Sequence, residues 1–89
     1  MSRADLNQGE IVKALRSVGA TVHITSQVGN GFPDLVCGMF GKNYLIEVKN
    51  RDTRGKLSTE QLIFRDKWKG KIYVVETIDE ALRVVGVNV

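Results

Sequence analysis

The amino-acid sequence predicts an α+β sandwich, an α/β/α-like arrangement of a mixed sheet with helices on its faces, in the order αβββαβα. Three observations predict it. Apolar residues recur at helical spacing near the N-terminus. Short β-branched and apolar runs, separated by glycine-rich turns, fill the middle of the chain. A capped helix, another apolar run and a short helical segment then follow.

Each element has its own signal. Ala4 to Val18 reads as a helix, because Ile11, Val12, Leu15 and Val18 fall on one face and Gly19 stands at its end. Thr21 to Thr25 alternates and is β-branched, so it reads as a strand. The stretch SQVGNGFP is a loop, since its glycines, asparagine and proline disfavour regular structure. Asp34 to Phe40 and Tyr44 to Lys49 form a hairpin about a turn at Gly41, Lys42 and Asn43. Asn50 to Lys56 is a basic loop. Ser58 to Lys69 is a helix, with Ser58 as N-cap, Gln61 completing a capping box and Gly70 ending it. Lys71 to Glu76 is a strand, and Ile78 to Val85, capped by Thr77 or Asp79, is the last helix.

With 89 residues, the chain 1–89 makes a single domain. The net charge of +3 and pI near 9.2 permit a polyanionic partner without requiring one. The distribution says more. Lys49 to Lys56 holds four cations, Lys49, Arg51, Arg54 and Lys56, against one anion, Asp52. A single cysteine excludes an internal disulfide and suits a reducing compartment. No segment is long and apolar enough to span a bilayer, and the polar start MSRADLNQGE lacks the apolar core of a secretory signal. A cytoplasmic protein is expected.

The residues that carry chemistry are Asp34, after Pro33, and Glu47 and Lys49 beyond the hairpin turn. Side chains alternate along a strand, so Glu47 and Lys49 share one face while Tyr44, Ile46 and Val48 take the other. Two carboxylates and an ammonium on one face suit a hard cation such as Mg²⁺, which takes oxygen ligands and often only one or two carboxylates. An isolated E-x-K is ordinarily a surface ion pair, and Pro-Asp adds little by itself. The site also sets a condition on register. A three-residue turn pairing Phe40 with Tyr44 would put Asp34 on the wrong face. A four-residue turn pairing Met39 with Tyr44, or a bulge near Gly38, would bring it to the face of Glu47.

Gly31-Phe32-Pro33-Asp34-Leu35, Ile46-Glu47-Val48-Lys49 and Gly55-Lys56-Leu57-Ser58-x-x-Gln61 resemble the VRR-NUC family of the PD-(D/E)XK nuclease superfamily. The similarity runs from Glu10 to the Val74-Val75 strand, and its G-x-L-S-x-x-Q ending is the more specific part. The chain looks like the stand-alone, phage-type members; if phage-encoded, it would act in the host cytoplasm. The resemblance implies a restriction-endonuclease-like fold and Mg²⁺- or Mn²⁺-dependent endonucleolytic cleavage of DNA. It also implies similarity to Holliday-junction resolvases, which act as homodimers on branched DNA. By the same resemblance Asp34 and Glu47 are metal ligands, the Val48 carbonyl is a third ligand, and Lys49 is the catalytic lysine. Glu10 would bind metal directly or through water, and Gln61 would face the site.

Several residues keep two readings. Glu10 is equally a solvated residue near a helix N-terminus. The capping box alone explains Gln61, yet Gln61, Phe64 and Trp68 share a helix face, which favours the site. Phe64 and Trp68 read as core residues before base-stacking ones. His23 has no metal-spaced partner, and Cys37 in its apolar run reads as a small core residue. Arg51, Arg54 and Lys56, with Lys49, would clamp the DNA backbone if the loop borders a phosphodiester site. The apolar tail Val84 to Val89 and the hairpin are candidate dimer contacts, and a C₂ pair would offer two sites to two strands. A non-catalytic nucleic-acid-binding or assembly module, and a nuclease acting on RNA, stand as alternatives.

Overall fold

A computed structural model describes residues 3–49 and 57–89. Its elements are α1 (Arg3–Ser17), β1 (Thr21–Ile24), β2 (Leu35–Met39), β3 (Lys42–Val48), α2 (Thr59–Lys67), β4 (Ile72–Val75) and α3 (Ile78–Val84). The expected order αβββαβα is therefore observed. The fold is α+β, with one open mixed sheet of order β1-β2-β3-β4. The first three strands are antiparallel, and β4 runs parallel to β3 after the crossover through α2. No helix among the described residues is long and apolar enough to cross a membrane.

Register decides which side chains share a face. Val22 lies opposite Cys37, which lies opposite Tyr44, and Leu35 lies opposite Ile46, which lies opposite Tyr73. These residues, with Val75, make one apolar face. Ile11, Val12 and Leu15 of α1 and Ala81, Leu82 and Val85 of the C-terminal segment belong to the same buried cluster. Ile11, Leu15, Leu35, Ile46 and Val85 are fully buried there. Cys37 lies in this core as expected, and burial pushes its thiol up to about 11, so it is inert as a nucleophile. Part of the apolar tail is consumed in the same way: Val85 is buried and Val87 packs on the core, while Val89 stays exposed.

The hairpin corrects the expected turn. Met39 pairs directly with Lys42, so the loop is the two residues Phe40 and Gly41, shorter than the three- and four-residue turns expected. Both have positive φ, 50° and 78°, as a type I′ hairpin turn requires. A bulky residue is uncommon there, and Phe40 leaves its ring 74% exposed. The ladder runs from Met39–Lys42 to Leu35–Ile46 without a bulge. Continued by one pair, it sets Asp34 directly opposite Glu47. The parity condition is met by a turn that the loop composition did not suggest.

The second correction concerns α2. It lies over β3 and β4 on the other face of the sheet, where a small cavity is lined by Pro33, Glu47, Gln61, Arg65, Ile72 and Val74. None of its residues is buried. Leu62 and Ile63 are about half exposed, at 53% and 51%, and Trp68, just beyond its end, is 41% exposed. Phe64 is half-buried, stacked on Trp68 and edge-on to Phe32. Phe64 and Trp68 are therefore not core residues, because the apolar cluster is completed by α1 and α3 on the opposite face.

Candidate active site

The site forms where β3 leaves the sheet, on the face that α2 partly covers. Glu47 is 3% exposed, an acidic side chain on a strand whose other face is core. Its parity with Lys49 is that of any strand, and Lys49 Nζ lies 3.6 Å from Glu47 Oε1.

Asp34 arrives from the neighbouring chain segment just before β2. Its carboxylate Oδ2 accepts the Val48 N–H at 2.9 Å. The Pro-Asp order explains this local geometry. By the ladder, Val48 lies opposite Pro33, which has no N–H to give to the Val48 carbonyl. The Val48 N–H turns to the Asp34 side chain instead of completing the ladder. Thr25 fixes the segment from the other side: its hydroxyl donates to the Pro33 carbonyl at 2.7 Å, and its N–H donates to the Asp34 carbonyl at 2.7 Å.

Asp34 lies close enough for its charge to act on Glu47. Burial, then the charge of Asp34, push the Glu47 carboxyl up to about 8, against the opposing pull of the Lys49 ammonium. Two acids share a pocket with one ammonium, and this crowding favours the protonated form of Glu47 in the metal-free protein.

Gln61 joins the helix to this cluster. Its Oε1 accepts the Ser58 N–H at 2.9 Å, while the Gln61 N–H donates to the Ser58 hydroxyl at 3.2 Å, completing the capping box. The same Oε1 accepts from Lys49 Nζ at 2.5 Å, and Nε2 donates to Glu47 Oε1. The two readings of Gln61 are thus one geometry. The cap holds the amide in the rotamer that bridges Glu47 and Lys49.

Gly31 sets how closely α2 approaches. It has φ of 81°, and a Cβ there would lie 2.2 Å from the Glu60 carbonyl oxygen in the first turn of α2. The Phe32–Phe64 contact, with ring centroids 5.5 Å apart, lies beside it. Only a glycine permits this backbone approach.

Glu10 is exposed on α1. Among the described residues, no group of three or more His, Cys, Asp or Glu side chains is placed to hold a metal ion. Arg51, Arg54 and Lys56 lie outside the described residues. His23 is exposed on β1. Sequence reasoning missed Asn7, whose side-chain amide donates to the carbonyls of Lys49 and Glu76, both at 3.2 Å. It thereby ties α1 to the segments just beyond β3 and β4. An asparagine within a helix gives no sequence signal for such a role.

The donor set suits a hard divalent cation. Asp34 and Glu47 supply carboxylate oxygens, and a cation in place of the Glu47 proton would relieve the repulsion between them. Val48 N–H points toward Asp34, and within a strand the carbonyl of the same residue points to the same side, so this oxygen is directed there too. Two carboxylates with a carbonyl and waters are sufficient for Mg²⁺. No family model, curated protein or solved structure matches the chain.

Proposed function

We propose that this chain is a divalent-metal-dependent endonuclease of the VRR-NUC type, with a PD-(D/E)XK fold, hydrolysing phosphodiester bonds in branched DNA. The observation that carries the reading is the convergence of Asp34, Glu47, Lys49 and Gln61 at one end of β3. Mg²⁺ or Mn²⁺, when bound, would activate water and offset charge on the phosphoryl group. Asp34, Glu47 and the Val48 carbonyl would hold the ion. Lys49, held by Gln61, would orient the attacking water and face the negative charge that develops on the phosphoryl oxygens. Gln61 keeps that ammonium close to Glu47 and out of bulk solvent.

A homodimer is part of this reading, since two opposed strands of a junction need two sites. Phe40 and Val89, the exposed apolar residues of the hairpin and tail, are its remaining candidate contacts. The mass in solution, with and without junction DNA, tests this part. A monomer in both conditions would leave a single-site nuclease.

The deciding experiment is incubation of pure protein with labelled linear duplex, flap and four-way junction DNA, with and without Mg²⁺ or Mn²⁺. Metal-dependent cleavage with a preference for branched substrates is expected. Binding with no cleavage under any metal would favour a non-catalytic module, and cleavage confined to RNA would replace the substrate.

A further inference from the structure

We infer that Trp68 and the cations around it form a stacking platform for an unpaired base of single-stranded DNA. The inference rests on the proposed nucleic-acid reading, but not on cleavage.

Trp68 is the only tryptophan, and it is held in place although 41% exposed. It is the C-cap of α2, and its N–H donates to the Phe64 carbonyl at 2.9 Å. One face of the indole stacks on Phe64, with centroids 5.3 Å apart and planes 19° from parallel. Phe64 in turn rests edge-on against Phe32. The chain then folds back across the indole edge: a Cβ at Gly70 would stand 2.8 Å from Trp68 Nε1. These contacts orient the ring and leave part of it in solvent. A pre-oriented aromatic surface loses little freedom when a base settles on it.

The surroundings select the occupant. Arg65, Lys67 and Lys69, next to Trp68 in the chain, are all exposed, against the single acid Asp66. Cations interleaved with an exposed aromatic ring match a polynucleotide, whose bases offer π-faces and whose backbone offers phosphates. A second copy of this chain fits poorly, because two-fold pairing through this patch would bring like charges together. A base inside a duplex has both faces covered by its neighbours, so the platform selects unpaired nucleotides. Seven residues of helix separate Trp68 from Gln61, about 10 Å at about 1.5 Å per residue. That is about three nucleotides at roughly 3.4 Å per step, fewer in an extended strand. A base held here would lie a few nucleotides from the phosphate facing Lys49, as at the arm of a flap or the centre of a junction.

Trp68 reports on the platform directly. Its fluorescence is followed while oligothymidine, oligouridine or blunt duplex DNA is added at equal phosphate concentration, with chelator present so that cleavage does not enter. Saturable quenching by oligothymidine, weakening with salt and much smaller with duplex, is expected. Trp68→Ala should weaken oligothymidine binding, read by anisotropy of a labelled strand, roughly 5- to 100-fold. It should leave duplex binding within about twofold, and Trp68→Phe should restore most of the loss. Equal quenching by duplex, a Trp68→Ala affinity equal to wild type, or a strong preference for oligouridine would overturn the inference. So would an emission shift that follows protein concentration and ignores DNA, which would assign the patch to self-association. Absence of metal-dependent cleavage with normal quenching would remove the proposed reaction alone. Normal cleavage without quenching would remove the platform alone.

Discussion

The two faces of the sheet are built on different principles. On one, α1 and α3 press Ile11, Leu15, Ala81 and Leu82 onto Val22, Leu35, Cys37, Ile46 and Val75, and the contact is apolar throughout. On the other, α2 buries none of its residues and is held by the Gln61 bridge, the backbone approach at Gly31 and the Phe32–Phe64 contact. The first face supplies stability and the second supplies polar chemistry. A buried acid such as Glu47 is costly to charge. It can be accommodated because the strand that carries it is anchored by Ile46 in the opposite face.

Truncation on the two faces should separate these roles most clearly. Leu15→Ala removes a fully buried side chain and should cost about 2–5 kcal/mol, by chemical denaturation. For an 89-residue chain that is a large share of total stability. Leu62→Ala, at an exposed position on α2, should stay within about 0.5 kcal/mol. Comparable losses at the two positions would mean that α2 is buried in solution, for instance by a second copy.

Next in size is Lys49→Ala. It removes the ammonium from the Gln61–Glu47 bridge and should lower single-turnover cleavage at least about 10²-fold, with the fold retained by circular dichroism. Wild-type turnover would exclude Lys49 from the reaction.

Gly31 and Gly29 make a controlled pair for how α2 is seated. Both have φ of 81°, but an added Cβ meets nothing within 4 Å at Gly29 and the Glu60 carbonyl oxygen at Gly31. Each alanine should carry the left-handed strain, about 1–2 kcal/mol. Only Gly31→Ala should also shift Trp68 emission and lower cleavage, because only there must α2 move. Identical behaviour of the two variants would sink the idea that Gly31 seats the helix.

The last expected effect is on pH. In the metal-free protein the Glu47 carboxyl is raised from 4.5 to about 8, so between those values the folded state holds a proton that the unfolded chain has released. Its contribution to stability is full below about 4.5 and is lost as pH rises through about 8. Denaturation midpoints should therefore fall across this window. The slope should flatten in Glu47→Gln and reverse toward stabilisation when Mg²⁺ is added, since cation and proton compete for one carboxylate. An unchanged slope in Glu47→Gln would place the titration elsewhere.

The order of the elements, the capping box at Ser58 and Gln61, and the shared face of Glu47 and Lys49 are legible in the residues alone. These depend on local periodicity and on contacts a few residues long. Thr77 with Glu80 is a second capping box, equally readable and overlooked at the last helix. Tertiary structure decided the rest. Asp34 meets Glu47 because the hairpin turns on Phe40 and Gly41, and a phenylalanine at positive φ is not a turn signal. Trp68 shares a helical stripe with Gln61, but periodicity tells which residues share a face and not what lies opposite it. The apolar cluster closes with α1 and α3, so the same stripe that brings Gln61 to Glu47 leaves Trp68 in solvent. Gln61 shows why the two levels cannot be read apart: its cap is written in a four-residue spacing, while its bridge to Lys49 exists only because the sheet brings β3 beneath that cap.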